Sequence, residues 1–190
     1  MADTLEKIAA DIRTCTRCRL HESRTHAVPG EGDPHAGVMC VGEAPGRRED
    51  ETGRPFVGPS GRFLDEMLRL AGVNRDDVFI TSVVKCRPPG NRAPRADEVE
   101  SCCGLHLDRQ RDAIGPDLLL LLGASAAQGV LGRNVGRLAE LVGRVLDRQG
   151  QRVLVTYHPA AGMRFPAIGE AMRGHFRRLR RLIAHPAAGR

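Results

Sequence analysis

The chain has no tryptophan, one tyrosine and five phenylalanines in 190 residues. With aromatic side chains this scarce, a phenylalanine in a polar loop calls for a reason other than core packing. Lysine is almost as rare: Lys7 and Lys85 are the only two, so nearly all of the 29 basic residues are arginine. No apolar run approaches the ~20 residues that a membrane span requires. The N-terminus, MADTLEKIAADIRT, is charged and amphipathic and has no signal-peptide core. A cytoplasmic location with no membrane contact is therefore expected. In a reducing compartment the six cysteines are better suited to metal ligation or burial as thiols than to disulfides. Repeats and low-complexity segments are absent. Residues 1–190 are expected to form one domain with a single core, the N-terminal Cys-x2-Cys segment included.

The net charge of +6 and a pI near 9.4 favour an anionic partner, nucleic acid first. Arginine beside abundant alanine and glycine is also a composition that coding bias produces, so charge alone does not decide the matter.

Short apolar runs at 38–42, 78–84, 118–122 and 153–156 alternate with helical patterns. This alternation predicts a three-layer α/β/α domain around a central four-stranded parallel sheet. Helices are expected at 3–14, from Pro59 with Ser60 as N-cap, at Arg95–Ile114, Ala124–Leu131 and about Ile168–Ala184. Residues 138–146 read as a mixture of strand and helix. The strands feed four loops, and such loops are where α/β sheets place their sites.

The loop after the first strand, Val41 to Leu64, is the richest in chemistry. It carries Gly42-Glu43-Ala44-Pro45-Gly46, the further acids Glu49, Asp50 and Glu51, and Phe56 between Pro55 and Val57-Gly58. A ring in such a loop suits stacking on a planar nucleobase. The second strand runs into Lys85-Cys86-Arg87-Pro88-Pro89-Gly90-Asn91-Arg92, stiffened by two prolines. The fourth ends in Tyr157-His158-Pro159, where a histidine can donate a hydrogen bond to a charge that develops during reaction. Cys15-x2-Cys18 has chelating spacing, with Cys86 and Cys102 as distant partners. Buried thiols, a structural zinc and an iron–sulfur cluster all fit that pattern, and Cys103 competes with Cys102. Cys40 lies within a strand and reads as a packing residue.

Taken together, these motifs resemble the family 4 uracil-DNA glycosylases, the iron–sulfur branch of that superfamily. The resemblance rests on Cys15-x2-Cys18-x-Leu20, GEAPG at 42–46 with Glu49-Asp50, and GRPFVGPSG at 53–61. It continues through ITSVVKCRPPGNR at 80–92, Cys102, and TYHPAA at 156–161. It implies a monofunctional, monomeric glycosylase that flips uracil out of single- or double-stranded DNA and hydrolyses its N-glycosidic bond. It also implies a structural 4Fe-4S cluster on Cys15, Cys18, Cys86 and Cys102. Phe56 would stack on the base, with Gly42, Glu43 and Ala44 along its edge. His158 would donate to O2 of the departing uracil, and Glu43 or Glu49 would serve the sugar or the water. Met163, Arg164 and Phe165 would wedge the duplex.

Two positions depart from the wider pattern. Ala44 stands where the best-known superfamily members carry a water-activating aspartate. Ser82 stands where family members commonly carry a base-reading asparagine. Ser82 implies weaker uracil activity, a wider base range including other deaminated bases, or a substitute reader such as Asn91. A non-catalytic iron–sulfur protein that binds DNA is the alternative from outside the enzymes.

Overall fold

Five consecutive leucines have no polar alternation, and they form a strand covered on both faces, as such a run should. This is β4 (Leu118–Leu122), and every residue in it is buried. The computed structural model describes residues 3–148 and 150–185. The elements before β4 are α1 (Leu5–Thr14), β1 (Glu31–Gly32), β2 (Val38–Gly42), α2 (Arg47–Thr52), α3 (Pro59–Leu70), β3 (Phe79–Ser82), α4 (Ala96–Cys102) and α5 (Asp108–Ile114). After it come α6 (Ala124–Leu131), α7 (Leu138–Leu141), β5 (Val145–Arg148), β6 (Gln151–Thr156), α8 (Pro159–Arg164) and α9 (Pro166–Ala184).

The sheet order is β1-β3-β2-β4-β6-β5. The four strands expected from the sequence form its parallel centre, with Gly42 level with Ser82, and Leu122 level with Thr156. The expected four-stranded parallel sheet is corrected to a six-stranded mixed one, because β1 and β5 add antiparallel edges. Neither edge announces itself by hydrophobicity. β1 is two residues long, and β5 is partly exposed along its whole length.

Alternation along the strands splits the core into two layers. Met39, Val41, Leu119, Leu121, Val153 and Val155 face Leu107, Ile114, Ala126 and Val130. Cys40, Ile80, Leu118, Leu120, Leu122 and Leu154 face Leu64, Leu68, Met172, Phe176 and Leu179 of α3 and α9. The three-layer α/β/α arrangement follows. Cys40 is a fully buried packing residue whose thiol burial pushes up to about 12. A third cluster joins Ile8, Ile12 and Leu20 to Val84, Cys86 and Cys102. Through it the N-terminal segment is fastened to the loop after β3.

Several local expectations change. The acidic loop contains a helix, α2. The N-cap of α3 is Gly58, with Pro59 at N1, so Ser60 lies inside the first turn; proline suits N1 because its missing N–H would have no helical partner there. The helix expected over Arg95–Ile114 is interrupted by a π-turn at Cys103–Leu107. Residues 138–146 resolve into α7 and the start of β5. Among the described residues no helix is long and apolar enough to cross a membrane.

Candidate active site and cysteine cavity

Taken in chain order, the parallel strands β2, β3, β4 and β6 lie 2-1-3-4 across the sheet, so the order reverses between β2 and β4. A crevice opens at the carboxyl ends of strands at such a switch point. Gly42 ends β2 at this place. A Cβ on Gly42 would sit 2.5 Å from Phe56 Cζ and 3.3 Å from Ser82 Oγ, so glycine is required for the ring to lie there. Phe56 is only 7% exposed and holds a left-handed backbone, φ 48°. Gly61 permits that turn, since a Cβ there would collide with the Phe56 carbonyl. Arg75 clamps the same turn by donating to the carbonyls of Pro55 and Phe56 while its guanidinium pairs with Glu31 and Asp65.

Ser82 is buried, and its Oγ makes no hydrogen bond among the described residues. Its carbonyl accepts from Lys85 Nζ at 2.8 Å, and Lys85 also donates to Thr81 Oγ1 and Gln110 Oε1. Burial of this ammonium pulls its pKa down to about 8, against the opposing pull of the Cys102 and Cys103 thiols. Three neutral acceptors satisfy it, and they tie the end of β3 to α5.

The two acids named from sequence sit differently. Glu49 is buried and accepts from the backbone N–H groups of Gly46 (3.1 Å), Val57 (2.9 Å) and Gly58 (2.8 Å). It closes the loop on itself. Glu43 is half-buried, and its Oε2 accepts from Ser125 Oγ at 2.5 Å. No described residue donates to its Oε1. Ala44 is half-buried beside it and packs towards the N-terminal cluster.

His158 is the N-cap of α8, and its Nδ1 accepts from the Ala160 N–H at 3.2 Å. Accepting there requires a lone pair on Nδ1, so the neutral ring carries its proton on Nε2. Burial lowers the His158 pKa, opposed by the carboxylates of Glu43 and Glu49, which places both acids within electrostatic reach. The His158 ring lies 6.0 Å from that of Phe56, centroid to centroid. Beyond it Met163 and Phe165 are each 48% exposed, the two large apolar side chains left in solvent among the described residues. The Arg164 guanidinium lies over the Phe165 ring at 5.4 Å. Asn91 makes no hydrogen bond to this group among the described residues. It is exposed in the Pro-Pro loop, with its Oδ1 taken by Arg87 Nε at 2.7 Å.

Cys15, Cys18, Cys86 and Cys102 line one small cavity, together with Ile12 and His106. Cys103 points elsewhere, into the sheet core, where its Sγ donates to the Val83 carbonyl. Arg24 Nη1 reaches Cys86 Sγ at 3.1 Å and the Cys15 carbonyl at 2.9 Å. Burial raises the Cys18, Cys86 and Cys102 thiols, the last to about 12. Among the described residues no three His, Cys, Asp or Glu side chains converge tightly enough to hold one metal ion. A zinc ion would draw its sulfurs to ~2.3 Å of one point, whereas a cluster takes one thiolate per iron and spreads them. Four cysteine thiols on one cavity are a donor set that either a structural zinc or an iron–sulfur cluster takes.

Sequence reasoning missed Ser125, Arg75, His106 and the role of Lys85. For Ser125 a signal existed, since it lies in the turn after β4, one of the four loops at strand ends. Arg75 and His106 carry no motif, and Lys85 lies within the motif at 80–92 without its role being legible; only packing reveals them.

The fold defines a class, an α/β protein whose parallel strands reverse order beside a buried phenylalanine and a nearby histidine. The model of the Uracil DNA glycosylase superfamily matches residues 29–180. Type-4 uracil-DNA glycosylases resemble the chain over most of its length. That of Pyrobaculum aerophilum is 46% identical over 92% of this chain and 90% of its own. That of Sulfurisphaera tokodaii is 42% identical over 97% and 87%, and that of Archaeoglobus fulgidus 42% over 93% and 92%. The chain belongs to the uracil DNA glycosylase superfamily, in its type-4 branch.

Proposed function

We propose that this protein removes uracil from DNA by hydrolysing the N-glycosidic bond, leaving an abasic site for base excision repair. The observation that carries the reading is the grouping at the end of β2, where the Phe56 ring and Ser82 Oγ both lie against Gly42 and the His158 ring is 6.0 Å from that of Phe56. An extruded base would stack on Phe56, while the Gly42–Ala44 backbone and Ser82 contact its edge. As the C1′–N1 bond breaks, positive charge grows on the sugar and negative charge on the uracil oxygens. His158 donates its Nε2 hydrogen bond to O2 of the leaving base. A carboxylate opposite an oxocarbenium-like centre stabilises it or orients the attacking water. Glu43 suits that task better than Glu49, because three backbone N–H groups already occupy Glu49.

Met163, Arg164 and Phe165 form the tip that enters the duplex. Cys15, Cys18, Cys86 and Cys102 would hold a 4Fe-4S cluster, which when bound ties the N-terminal segment to the Pro-Pro loop beside the DNA. The enzyme acts as a monomer of one domain.

The test is strand cleavage, with and without alkali, on oligonucleotides bearing one uracil, single-stranded or opposite G or A. Alkali-dependent cleavage that disappears in His158→Ala is the expected result. Binding without cleavage by cluster-loaded protein would make this a non-catalytic DNA-binding protein.

Ser82 favours a second reading of the base range. A lone hydroxyl reads one edge position where an amide reads two, so discrimination against other deaminated bases weakens. Asn91, whose Oδ1 accepts from Arg87 Nε, has only its amide N–H groups left to act as a substitute reader. Ser82→Asn should sharpen the preference for uracil over hypoxanthine and xanthine; an unchanged ratio would count against this role for Ser82.

A further inference from the structure

His106 is the one side chain among the described residues with polar atoms wholly shut off from solvent and left without a partner. Both ring nitrogens are shut off from solvent and unbonded, in a residue only 5% exposed. Buried polar groups are nearly always paired, so an orphaned imidazole calls for a missing partner. His106 lies on the wall of the cavity that Cys15, Cys18, Cys86 and Cys102 share. It stands four residues after Cys102, hence on the same side of that helix. The π-turn at Cys103–Leu107 helps set this register, and such turns concentrate at functional sites. The rest of the wall offers the imidazole little. Ile12 and Leu105 are apolar, Lys85 has already placed its three hydrogen bonds elsewhere, and Arg17, His21 and Ser101, which also line the cavity, make no hydrogen bond to the ring. A neutral imidazole has one N–H to give, and the acceptors that a bound cluster would bring are sulfurs.

We propose that His106 donates an N–H hydrogen bond to a sulfur of the cluster held by these four cysteines, as a positioning residue that stabilises and tunes it. The inference rests on the cluster reading above. Hydrogen bonds to cluster sulfurs and to metal ligands are a principal means by which a protein adjusts such a centre. His106→Phe keeps the volume and removes the donor, whereas His106→Gln keeps a donor on a side chain of similar reach.

The experiment uses the full chain, purified anaerobically as wild type, His106→Phe, His106→Gln and Cys86→Ala. Iron and sulfide are counted, resonance Raman Fe–S bands are compared in H2O and D2O, and bleaching of the visible absorption by a chelator is timed. Wild type and His106→Gln should share a deuterium-sensitive band that His106→Phe lacks. His106→Phe should retain its iron yet bleach several-fold faster. Spectra and bleaching in His106→Phe identical to wild type would overturn the proposal. Loss of iron from His106→Gln as complete as from Cys86→Ala would also overturn it, making His106 a ligand. Wild type free of iron and sulfide would sink the cluster reading itself, and this inference with it.

Discussion

Ser125 Oγ lies 2.5 Å from Glu43 Oε2 and donates to it, joining the loop after β2 to the helix after β4. These two strands are neighbours at the point where the sheet order reverses, so the bond joins the two chain segments that leave the sheet there. A half-buried carboxylate held by one hydroxyl has its direction set from outside its own loop.

Ser125→Ala is expected to release that carboxylate without disturbing the core. A hydrogen bond to a charged group contributes ~1.5–3 kcal/mol, so single-turnover uracil excision should slow by roughly 10-fold or more. Substrate affinity should stay near wild type, and the melting temperature should fall by about 3–12 °C at most. An excision rate unchanged in Ser125→Ala would show that Glu43 needs no such anchor.

Gly42→Ala addresses the close approach of Phe56. The added methyl would meet the ring at 2.5 Å, and the strand on one side and the Arg75 clamp on the other oppose any shift. Overpacking of this kind costs ~1–3 kcal/mol, which for a chain of this size lowers the melting temperature by about 2–12 °C. Excision should fall further than stability does, because the displaced ring is the base platform. Calorimetry and excision assays on the same preparation would separate the two losses.

Met163→Ala with Phe165→Ala tests the exposed tip. The side chains are already in solvent, so the double variant should melt like wild type. Inserting apolar side chains offsets the cost of unstacking a base step, and single strands have no such cost. Excision from duplex DNA should therefore drop by about 10-fold, ~1.4 kcal/mol, while excision from single strands holds. Equal losses on both substrates would point to a general binding role instead.

Stability should fall as the solution turns acidic. Burial lowers the pKa of both His158 and His175, the latter with help from the nearby Arg178. Below the ordinary histidine pKa of ~6.5 the unfolded chain takes up protons that the folded chain refuses, and the equilibrium shifts toward unfolding. The loss begins near pH 6.5 and continues down to the lowered folded values. His175 pairs with Thr156 Oγ1 and stacks on Tyr157, outside the proposed chemistry. His175→Phe should accordingly flatten part of the slope between pH 7 and 5 in urea titrations, and an unaltered slope would assign the acid sensitivity elsewhere.

The parallel strands were legible because each is an apolar run between turn signals; Leu118–Leu122 has the same limits in sequence and structure. The edges were not, because two residues of β1 pair through backbone alone and β5 has no buried face to impose a period. Phe56 stood out by its rarity and its polar setting, and Glu49 by its charge. Only the folded loop shows Glu49 turned inward onto three N–H groups.

The sequence by itself determined the architecture, the motifs that carry the family resemblance, and which residue types are available for chemistry, since periodicity and turn residues act locally. Tertiary structure decided between chemically equivalent neighbours. Cys102 and Cys103 are adjacent on one helix and differ by ~100° of rotation. Packing sends one into the shared cavity and the other into the sheet core. The same holds for Ser125 and Glu43, far apart in the chain, which meet because strand order places their loops side by side. Side-chain direction and non-local contact depend on the whole packed molecule, and no local pattern encodes them.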